Sequence, residues 1–333
     1  MSDGVLEVAQ KYLKRVTNGG GNEIMATCPF HQSDNPRGYS VTLSMNLSTG
    51  LFICHSCKTK GNLRQFLHMM GVPRASVDKQ YGVVLEELSS KASERLLQKQ
   101  DPRKPKMPTD DPLPESILGL FDKCPIDLLN EGFEEDTLRK FDVGFDDKHM
   151  RITYPLRDLA GRLVGISGRS VTGAPSKYKV YSTEWQAFGL PPRTINKSAL
   201  IWNYDRVYPE VYFSLNEPVV LVEGFKGVMW LHQAGIKTAL ALLTSNLSDA
   251  QQWLLEHLGG VVYIMLDNDA AGTKGTQQVA ERLSQSLQVK IATYNKEAAQ
   301  PTDLSPEEVV KAVDNAQDYF YWAHKRRTEN GFR

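Results

Sequence analysis

Three of the four cysteines in this 333-residue chain lie in two short motifs that can bind a metal ion. Cys28 and His31 are spaced as Cys-x-x-His, and Cys54 and Cys57 follow as Cys-x-x-Cys. Three thiolates and one imidazole are a recurrent tetrahedral ligand set for structural zinc. A redox-active Cys-x-x-Cys is the alternative, but it would not account for Cys28 and His31. The spacing therefore predicts one structural Zn²⁺ held by these four side chains.

Three carboxylates follow two strand-like segments in the second half of the chain. Glu223 comes directly after the run Val219–Val222, and Asp267 and Asp269 come after Val261–Leu266. Buried parallel strands read as continuous apolar runs, and α/β sheets bind ligands at the carboxyl ends of such strands. Clustered carboxylates repel one another unless a cation neutralises them, and Mg²⁺ prefers oxygen ligands. We therefore expect a magnesium site here; for the second segment, a turn leading into a helix is the structural alternative.

Different elements must position these two groups of side chains. Residues 39–45 and 51–53 alternate as strands between the cysteine motifs and predict a zinc-ribbon-like sheet. From 219 to 293, strand-like and helix-like segments alternate, which predicts an α/β sheet. We therefore predict a multidomain α/β protein in which an α+β zinc ribbon precedes an α/β catalytic core. Residues 307–322 have helical spacing and predict one terminal amphipathic helix.

The middle of the chain concentrates positive charge. Between Asp146 and Lys179 there are seven Lys and Arg against three Asp, an excess of four in a chain whose net charge is zero. The segment also alternates as strands. It is the expected polyanion-binding surface, with a solvated antiparallel sheet as the alternative.

Composition sets the broad class and the domain boundaries. The chain is 41% hydrophobic and 23% charged, as in soluble globular proteins, and it has neither a membrane-length apolar run nor a signal peptide. With four cysteines, these features indicate a reducing cytoplasm. Residues 100–114 contain five prolines and predict an extended linker. The predicted divisions are 1–99 (zinc domain), 100–114 (linker), 115–210 (basic subdomain), 211–315 (metal-binding subdomain) and 316–333 (terminal helix and tail).

Two parts of the chain resemble known modules. The segment from Cys54 to Phe66, with its glycine and aromatic residue after the last ligand, resembles the CHC2 zinc-binding domain of bacterial and phage primases. Glu223-Gly224 after one strand and the Asp-x-Asp-x-Ala-Gly motif at 267–272 after another look like the TOPRIM fold. That fold is shared by DnaG-type primases, topoisomerases and some nucleases. A CHC2 domain upstream of TOPRIM resembles the DnaG-type DNA primases.

The resemblance extends to the basic segment. Arg157, Gly168-Arg169 and Lys177-Tyr178 match elements that, in DnaG-type cores, line the groove for template and nucleotides. The residues that the resemblance assigns to nucleic-acid and nucleotide binding are Arg157, Arg169, Lys177, Tyr178, Lys58 and Lys60.

Several positions depart from the family pattern. Gly227 stands where the family usually has a second carboxylate, and Gln300 replaces the first acid of a final acidic pair. Asp303 of that pair remains as a fourth candidate magnesium ligand, with helix capping as its alternative role. Glu131 stands where the family often has a basic residue. Lys226 is expected to add positive charge near incoming phosphates.

The resemblance implies synthesis of short RNA primers on single-stranded DNA from ribonucleoside triphosphates. Glu223, Asp267 and Asp269 would hold catalytic Mg²⁺ or Mn²⁺, and no protein nucleophile is needed. The implied partners are the template and a replicative helicase acting in trans, and the implied setting is the cytoplasm of a bacterium or a phage-infected host. In size the chain resembles the compact primases of some phages. The alternatives are a TOPRIM nuclease and a non-catalytic DNA-binding protein with a decayed site.

Overall fold

The computed structural model describes residues 3–31, 41–73, 76–77, 79–85, 87–88, 112–213, 218–244, 246–294 and 299–330. Most of the predicted linker at 100–114, and the start of the strand predicted from residue 39, lie outside these ranges. Among the described residues, no helix has the length and apolar character needed to cross a bilayer.

The N-terminal unit is a five-stranded antiparallel sheet with helices packed on it. Its strands are in the order β1-β2-β3-β4-β5. Phe52 and Phe66 meet edge to face in its core with ring centroids 5.4 Å apart, so sheet and second helix share one apolar interior. This confirms the predicted zinc-ribbon sheet. The elements are α1 (Asp3–Tyr12), β1 (Lys14–Gly20), β2 (Glu23–Thr27), β3 (Leu43–Asn46), β4 (Phe52–Cys54), β5 (Lys60–Gly61) and α2 (Leu63–Met69).

The middle unit is a four-stranded antiparallel sheet in the order β6-β7-β8-β9. Tyr154 pairs with Ser167 and Ile152 with Arg169, so these four side chains share one face of the sheet. Short 3₁₀ helices at 115–121 and 183–188 share an apolar core with Leu163 and Ile166 of this sheet, and a third lies at 197–199. The elements are α3 (Ile126–Asn130), α4 (Glu135–Lys140), β6 (Gly144–Asp146), β7 (Arg151–Arg157), β8 (Leu163–Ser170) and β9 (Tyr178–Val180).

The third unit is a mostly parallel sheet in the order β11-β10-β12-β13-β14. Strands β10 and β12 are neighbours at its centre, with Leu221 opposite Ile264. Their carboxyl ends therefore lie side by side, which brings Glu223 next to Asp267 as expected. The elements are α5 (Tyr204–Phe213), β10 (Val219–Val222), α6 (Phe225–Gln233), β11 (Ala239–Ala241), α7 (Asp249–Leu258), β12 (Val261–Ile264), α8 (Ala270–Leu283), β13 (Gln288–Ile291), α9 (Pro306–Asp314), β14 (Gln317–Asp318) and α10 (Tyr319–Asn330).

The prediction of one continuous C-terminal helix over residues 307–322 is wrong. Helix α9 ends at Asp314, β14 pairs antiparallel with β13, and α10 then begins at Tyr319. Tyr319 and Trp322 are buried in the core of the parallel sheet, so this end of the chain packs with the third unit. Tertiary pairing with the sheet edge here overrides a helical apolar pattern.

One apolar core joins the middle unit to the third. Tyr154 of β7 stacks on Phe225 at the start of α6, with ring centroids 4.3 Å apart and planes 9° apart. Trp202 meets the same Phe225 ring edge to face and donates its indole N–H to the carbonyl of Pro155. The antiparallel sheet is therefore held against the carboxyl edge of the parallel sheet.

A buried network of ion pairs connects all three units. Glu115, 1% exposed, accepts hydrogen bonds from both terminal nitrogens of Arg157 at 2.6 and 3.0 Å. Arg64 of α2 lies 3.2 Å from the same carboxylate, and Arg157 also donates to Asp142 at 2.8 Å. Arg206 of α5 lies 3.2 Å from Asp142. Burial opposes ionisation of Glu115, but the nearby Arg157 and Arg64 outweigh it and lower its pKa.

We predict that Glu115→Gln destabilises the core, because it leaves Arg157 and Arg64 buried with too little negative charge. Removing one partner of a buried ion pair costs about 3–5 kcal/mol. Urea unfolding followed by tryptophan fluorescence measures this, since all five tryptophans lie between residues 185 and 322.

The matched control is Glu135→Gln, which removes an exposed pair with Arg139 that contributes about 0–1 kcal/mol. Because folding lowers the pKa of Glu115, its negative charge stabilises the fold at pH values above the pKa of the unfolded state, about 4.3. This stabilisation is lost as the pH falls through the lower pKa of the folded state. Equal unfolding midpoints for the two variants would contradict the proposed importance of the network.

Candidate active site

The four predicted zinc ligands converge in the structure. The Sγ and ring-nitrogen atoms of Cys28, His31, Cys54 and Cys57 all lie within 4.8 Å of one another. Cys28 Sγ is 3.8 Å from Cys57 Sγ, and Cys54 Sγ is 3.8 Å from His31 Nδ1. A tetrahedral ion with Zn–S bonds of about 2.3 Å has ligand atoms about 3.8 Å apart. The cluster thus fits one structural zinc ion.

The backbone around the cluster favours a thiolate at Cys54. Burial opposes its ionisation, but a hydrogen bond with the Thr42 hydroxyl and bonds from backbone N–H groups outweigh burial and lower the pKa. One of these N–H donors is Cys57, 3.4 Å from the sulfur. Burial and the neighbouring thiols raise the pKa of Cys28 to about 12.

Lys58 and Lys60, predicted to hold nucleic acid, both lie on this zinc unit. Lys58 follows the last ligand with a positive φ of 62° and donates its ammonium to the carbonyl of His55 at 2.9 Å. Lys60 begins β5. Neither side chain lines the cleft that holds the carboxylates.

The acidic side chains form a second cluster at the tips of β10 and β12. Burial and the negative charges of Glu223, Asp269 and Asp303 together raise the pKa of Asp267 to about 7. Four carboxylates thus influence one another, as predicted. Such an oxygen-rich set, with an excess of negative charge, suits a hard divalent cation.

Local backbone bonds hold two of these carboxylates in place. Asp269 is the N-cap of α8 and accepts the N–H of Gly272 at 2.7 Å. Gly272 is required here, since a Cβ on it would lie 2.1 Å from the carbonyl oxygen of Asp267. Asp303 accepts the N–H groups of Ala299 and Gln300 at 2.9 and 3.1 Å. Asp303 therefore caps a turn while its charge still acts on Asp267.

Gly227, where a further carboxylate was expected, lies against the sheet. A Cβ at this position would be 3.1 Å from Cβ of Val222. The glycine lets α6 pack closely on β10, and the position contributes only backbone to the cleft wall.

A cleft of about 570 Å³ joins the acidic cluster to the basic sheet. Glu223 and Asp267 line one wall, and Ser167 and Tyr178 of the antiparallel sheet line the other. The cationic side chains of the cleft are Arg169, Lys177, Lys179, Lys197 and Lys226. Acidic and basic side chains from two different sheets thus face a single space.

Arg169 and Tyr178 lie together in the cleft. Burial raises the pKa of Tyr178, while the Arg169 guanidinium, which also shares a hydrogen bond with it, acts in the opposite direction. The Tyr178 ring is 40% exposed and rests on Phe225 with centroids 5.9 Å apart. Nε of Arg169 is buried and has no hydrogen-bond partner among the described residues.

Arg157 does not line this cleft, contrary to expectation. Alternate residues of a strand face opposite sides, so Leu156 lines the cleft while Arg157 points to the other face. There Glu115 and Asp142 bind its guanidinium, and this contact leaves no open face for a phosphate. Its position is structural.

Three cleft lysines were not among the predicted binding residues: Lys179, Lys197 and Lys226. Lys197 belongs to a 3₁₀ turn in a segment without strand or helix periodicity, and its charge alone gave no signal. Lys226 could be found from its place beside the Glu223-Gly224 motif, and it does line the cleft.

The chain matches two protein families. Residues 3–93 match the CHC2 zinc finger, and residues 217–293 match the Toprim domain. A DNA primase of Staphylococcus epidermidis is 23% identical over 94% of this chain and 57% of its own length. A DNA primase of Staphylococcus aureus is 31% identical over 51% of this chain and 26% of its own length. The alignments therefore span little more than half of these relatives at most.

Solved primase structures share the fold. The Aquifex aeolicus primase, with zinc-binding and RNA polymerase domains, covers 98% of this chain and 86% of its own at a TM-score of 0.54 and 19% identity. The RNA polymerase domain of Mycobacterium tuberculosis primase DnaG covers 74% of this chain and 88% of its own at a TM-score of 0.51 and 18% identity. The chain thus contains a CHC2 zinc finger followed by a Toprim domain, on a fold that it shares with these primase structures.

Loss of one zinc ligand is expected to unfold the N-terminal unit and spare the rest. We predict that Cys54→Ser lowers bound zinc from about one ion per chain to nearly none, because structural sites need all four ligands. Metal analysis measures the zinc, and hydrogen exchange locates the unfolding. The control Cys124→Ser should keep its zinc, and full zinc content in Cys54→Ser would contradict the assignment.

Removing one charge from the acidic cluster is expected to stabilise the metal-free protein. The raised pKa of Asp267 means that the folded state loses stability as pH rises from about 4 to about 7. At pH 8 in EDTA, Asp267→Asn should therefore be more stable by about 1 kcal/mol, a value discounted for solvent screening.

Thermal unfolding at several pH values measures this effect. The gain should shrink toward pH 4, and the exposed control Asp122→Asn should show none. A pH-independent difference would mean that repulsion within the cluster is not its cause.

Proposed function

We propose that this protein synthesises short RNA primers on single-stranded DNA, as a DNA-directed RNA polymerase of the primase type that serves replication. The observation that carries the proposal is the cleft in which Toprim carboxylates face cations of the antiparallel sheet. Nucleotidyl transfer needs both, because the reaction joins a hydroxyl to a triphosphate and the phosphates must be neutralised while they react. The curated relatives are DNA primases, which supports the same activity.

We infer that Glu223, Asp267, Asp269 and Asp303 are the residues that would hold catalytic Mg²⁺ or Mn²⁺. The fit rests on the convergence of these carboxylates beside the ends of β10 and β12, where burial and the neighbouring negative charges raise the pKa of Asp267. A divalent ion bound there would neutralise phosphate charge and favour ionisation of the primer 3′-hydroxyl. Gly227 leaves this ligand set without the further carboxylate of the family pattern.

The opposite wall would hold template and nucleotide. Lys177 is exposed, and among the described residues neither it nor Lys197 has an ion pair, so both ammonium groups are available to phosphates. Tyr178 offers an exposed ring beside Arg169, and bases stack on such rings without sequence preference. These four side chains would position polyanions against the acidic wall.

The zinc unit would contact template outside the cleft. Lys58 and Lys60 project from the knuckle that ends at Cys57, on the unit that Arg64 ties to Glu115. A replicative helicase acting in trans would supply the single-stranded template.

Primer synthesis from labelled ribonucleotides on single-stranded DNA tests the proposal. We expect Asp267→Ala to lower synthesis by at least about 100-fold, because it removes an oxygen ligand where charge must be stabilised. DNA binding should remain, since the cationic wall is unchanged. The control Asp122→Asn should synthesise normally.

The outcomes separate three activities. Synthesis by the wild type that Asp267→Ala loses supports the primase. Cleavage of the DNA without synthesis would contradict the primase proposal and indicate a nuclease that uses the same cleft. Binding with neither reaction would indicate a non-catalytic protein.

A further inference from the structure

Glu131 places a carboxylate next to two cations of the cleft. It follows α3, and its side chain forms an ion pair with Lys226 of α6. Its other oxygen lies 4.0 Å from Nη1 of Arg169 on β8. Arg169 lies on the antiparallel sheet and Lys226 on a helix of the third unit, and both line the cleft, so one carboxylate pairs with cations from both walls.

The turn that carries Glu131 is attached to α6 by other contacts as well. Phe133 packs on Trp230 with ring centroids 5.3 Å apart. The Gln233 amide donates to the carbonyl of Gly132 at 3.3 Å and accepts the N–H of Glu134 at 3.0 Å. Residues 226, 230 and 233 lie on one face of α6. The backbone of the turn is thus held even when the ion pair opens.

The Glu131 carboxylate itself is weakly held compared with the other acid paired to a cleft cation. Glu184 pairs with Lys179, is 10% exposed and also accepts the backbone N–H of Ser182 at 3.0 Å. Glu131 is 35% exposed, and among the described residues its carboxylate contacts only Lys226 and Arg169. An anion entering the cleft therefore meets less resistance at Glu131 than at Glu184.

We propose that Glu131 is a displaceable counter-ion that sets the affinity of the cleft for the polyphosphate of an incoming nucleotide. Without nucleotide it neutralises Lys226 and Arg169 and keeps them oriented. A triphosphate, with more negative charge, takes its place on both cations. This inference rests on the proposed function for the identity of the ligand, but the competition between carboxylate and polyphosphate is a property of the cleft.

Glu131→Gln removes the competing charge and keeps the shape of the side chain. We expect it to lower KM for ribonucleoside triphosphate by about two- to fivefold, the range set by a partly exposed ion pair. The matched control is Glu135→Gln on the neighbouring helix, which removes an equal charge paired with Arg139 outside the cleft and should leave KM unchanged.

A direct binding measurement tests the inference without relying on activity. Calorimetry with tripolyphosphate, in EDTA at low ionic strength, should give tighter binding for Glu131→Gln than for the wild type by a similar factor. The difference should diminish as salt is added, because the competition is between charges. If the wild type makes no RNA, the proposed function fails while this comparison still stands.

Lys226→Gln decides whether Lys226 is the cation that Glu131 neutralises. It should weaken tripolyphosphate binding, and in its background the further change Glu131→Gln should have a smaller effect than in the wild type. Weaker binding by Glu131→Gln alone would mean that Glu131 orients its cations for the ligand, which overturns the proposal. Unchanged binding with a lowered melting temperature would overturn it too, and would make the pair purely structural.

Discussion

The arrangement of the three units depends on the buried pair between Glu115 and Arg157. Neither group can be transferred from water without a partner, since the desolvation of a buried ion costs several kcal/mol. Glu115 therefore also draws in Arg64 from the zinc unit, and Arg157 draws in Asp142, which in turn contacts Arg206. The network is specific in a way that apolar contacts are not, because each charge accepts only a complementary one at short range. It fixes where the zinc unit lies relative to the core.

On the other face of the same sheet, the physical requirements are reversed. The cleft keeps its charges partly exposed and incompletely paired, so that they can exchange partners. The sheet itself separates the two environments, and the stack of Tyr154 on Phe225 packs the antiparallel sheet against the first turn of α6. Because that turn begins directly after Glu223, the packing that joins the sheets also sets the spacing between the acidic and basic walls. The raised pKa of Asp267 is a consequence of its burial at these strand ends beside other carboxylates.

Features that depend on local spacing could be predicted from the sequence. The zinc ligands follow from two Cys motifs, and the meeting of Glu223 with Asp267 follows from apolar strands that end in acids. Arg157 could not be placed correctly, because its partner Glu115 is 42 residues away and a sequence reports the sign of a charge but not its contacts. The same holds for Glu131. The strand β14 was missed because its pairing with β13 is decided by the sheet edge.

A chain without net charge can still bind a polyanion if its cations differ in how firmly they are neutralised. Lys179 is paired with a carboxylate that a backbone bond also holds, Lys226 with a half-exposed one, and Lys177 with none among the described residues. A ligand therefore meets a graded set of positive charges rather than a uniform patch. We expect binding to begin at the unpaired lysine and to proceed by exchange of counter-ions, because a more highly charged ligand competes better for a paired cation. Such a gradient favours triphosphates over monoanions without any contact to the base, so discrimination by charge and discrimination by template pairing are separate properties of the cleft.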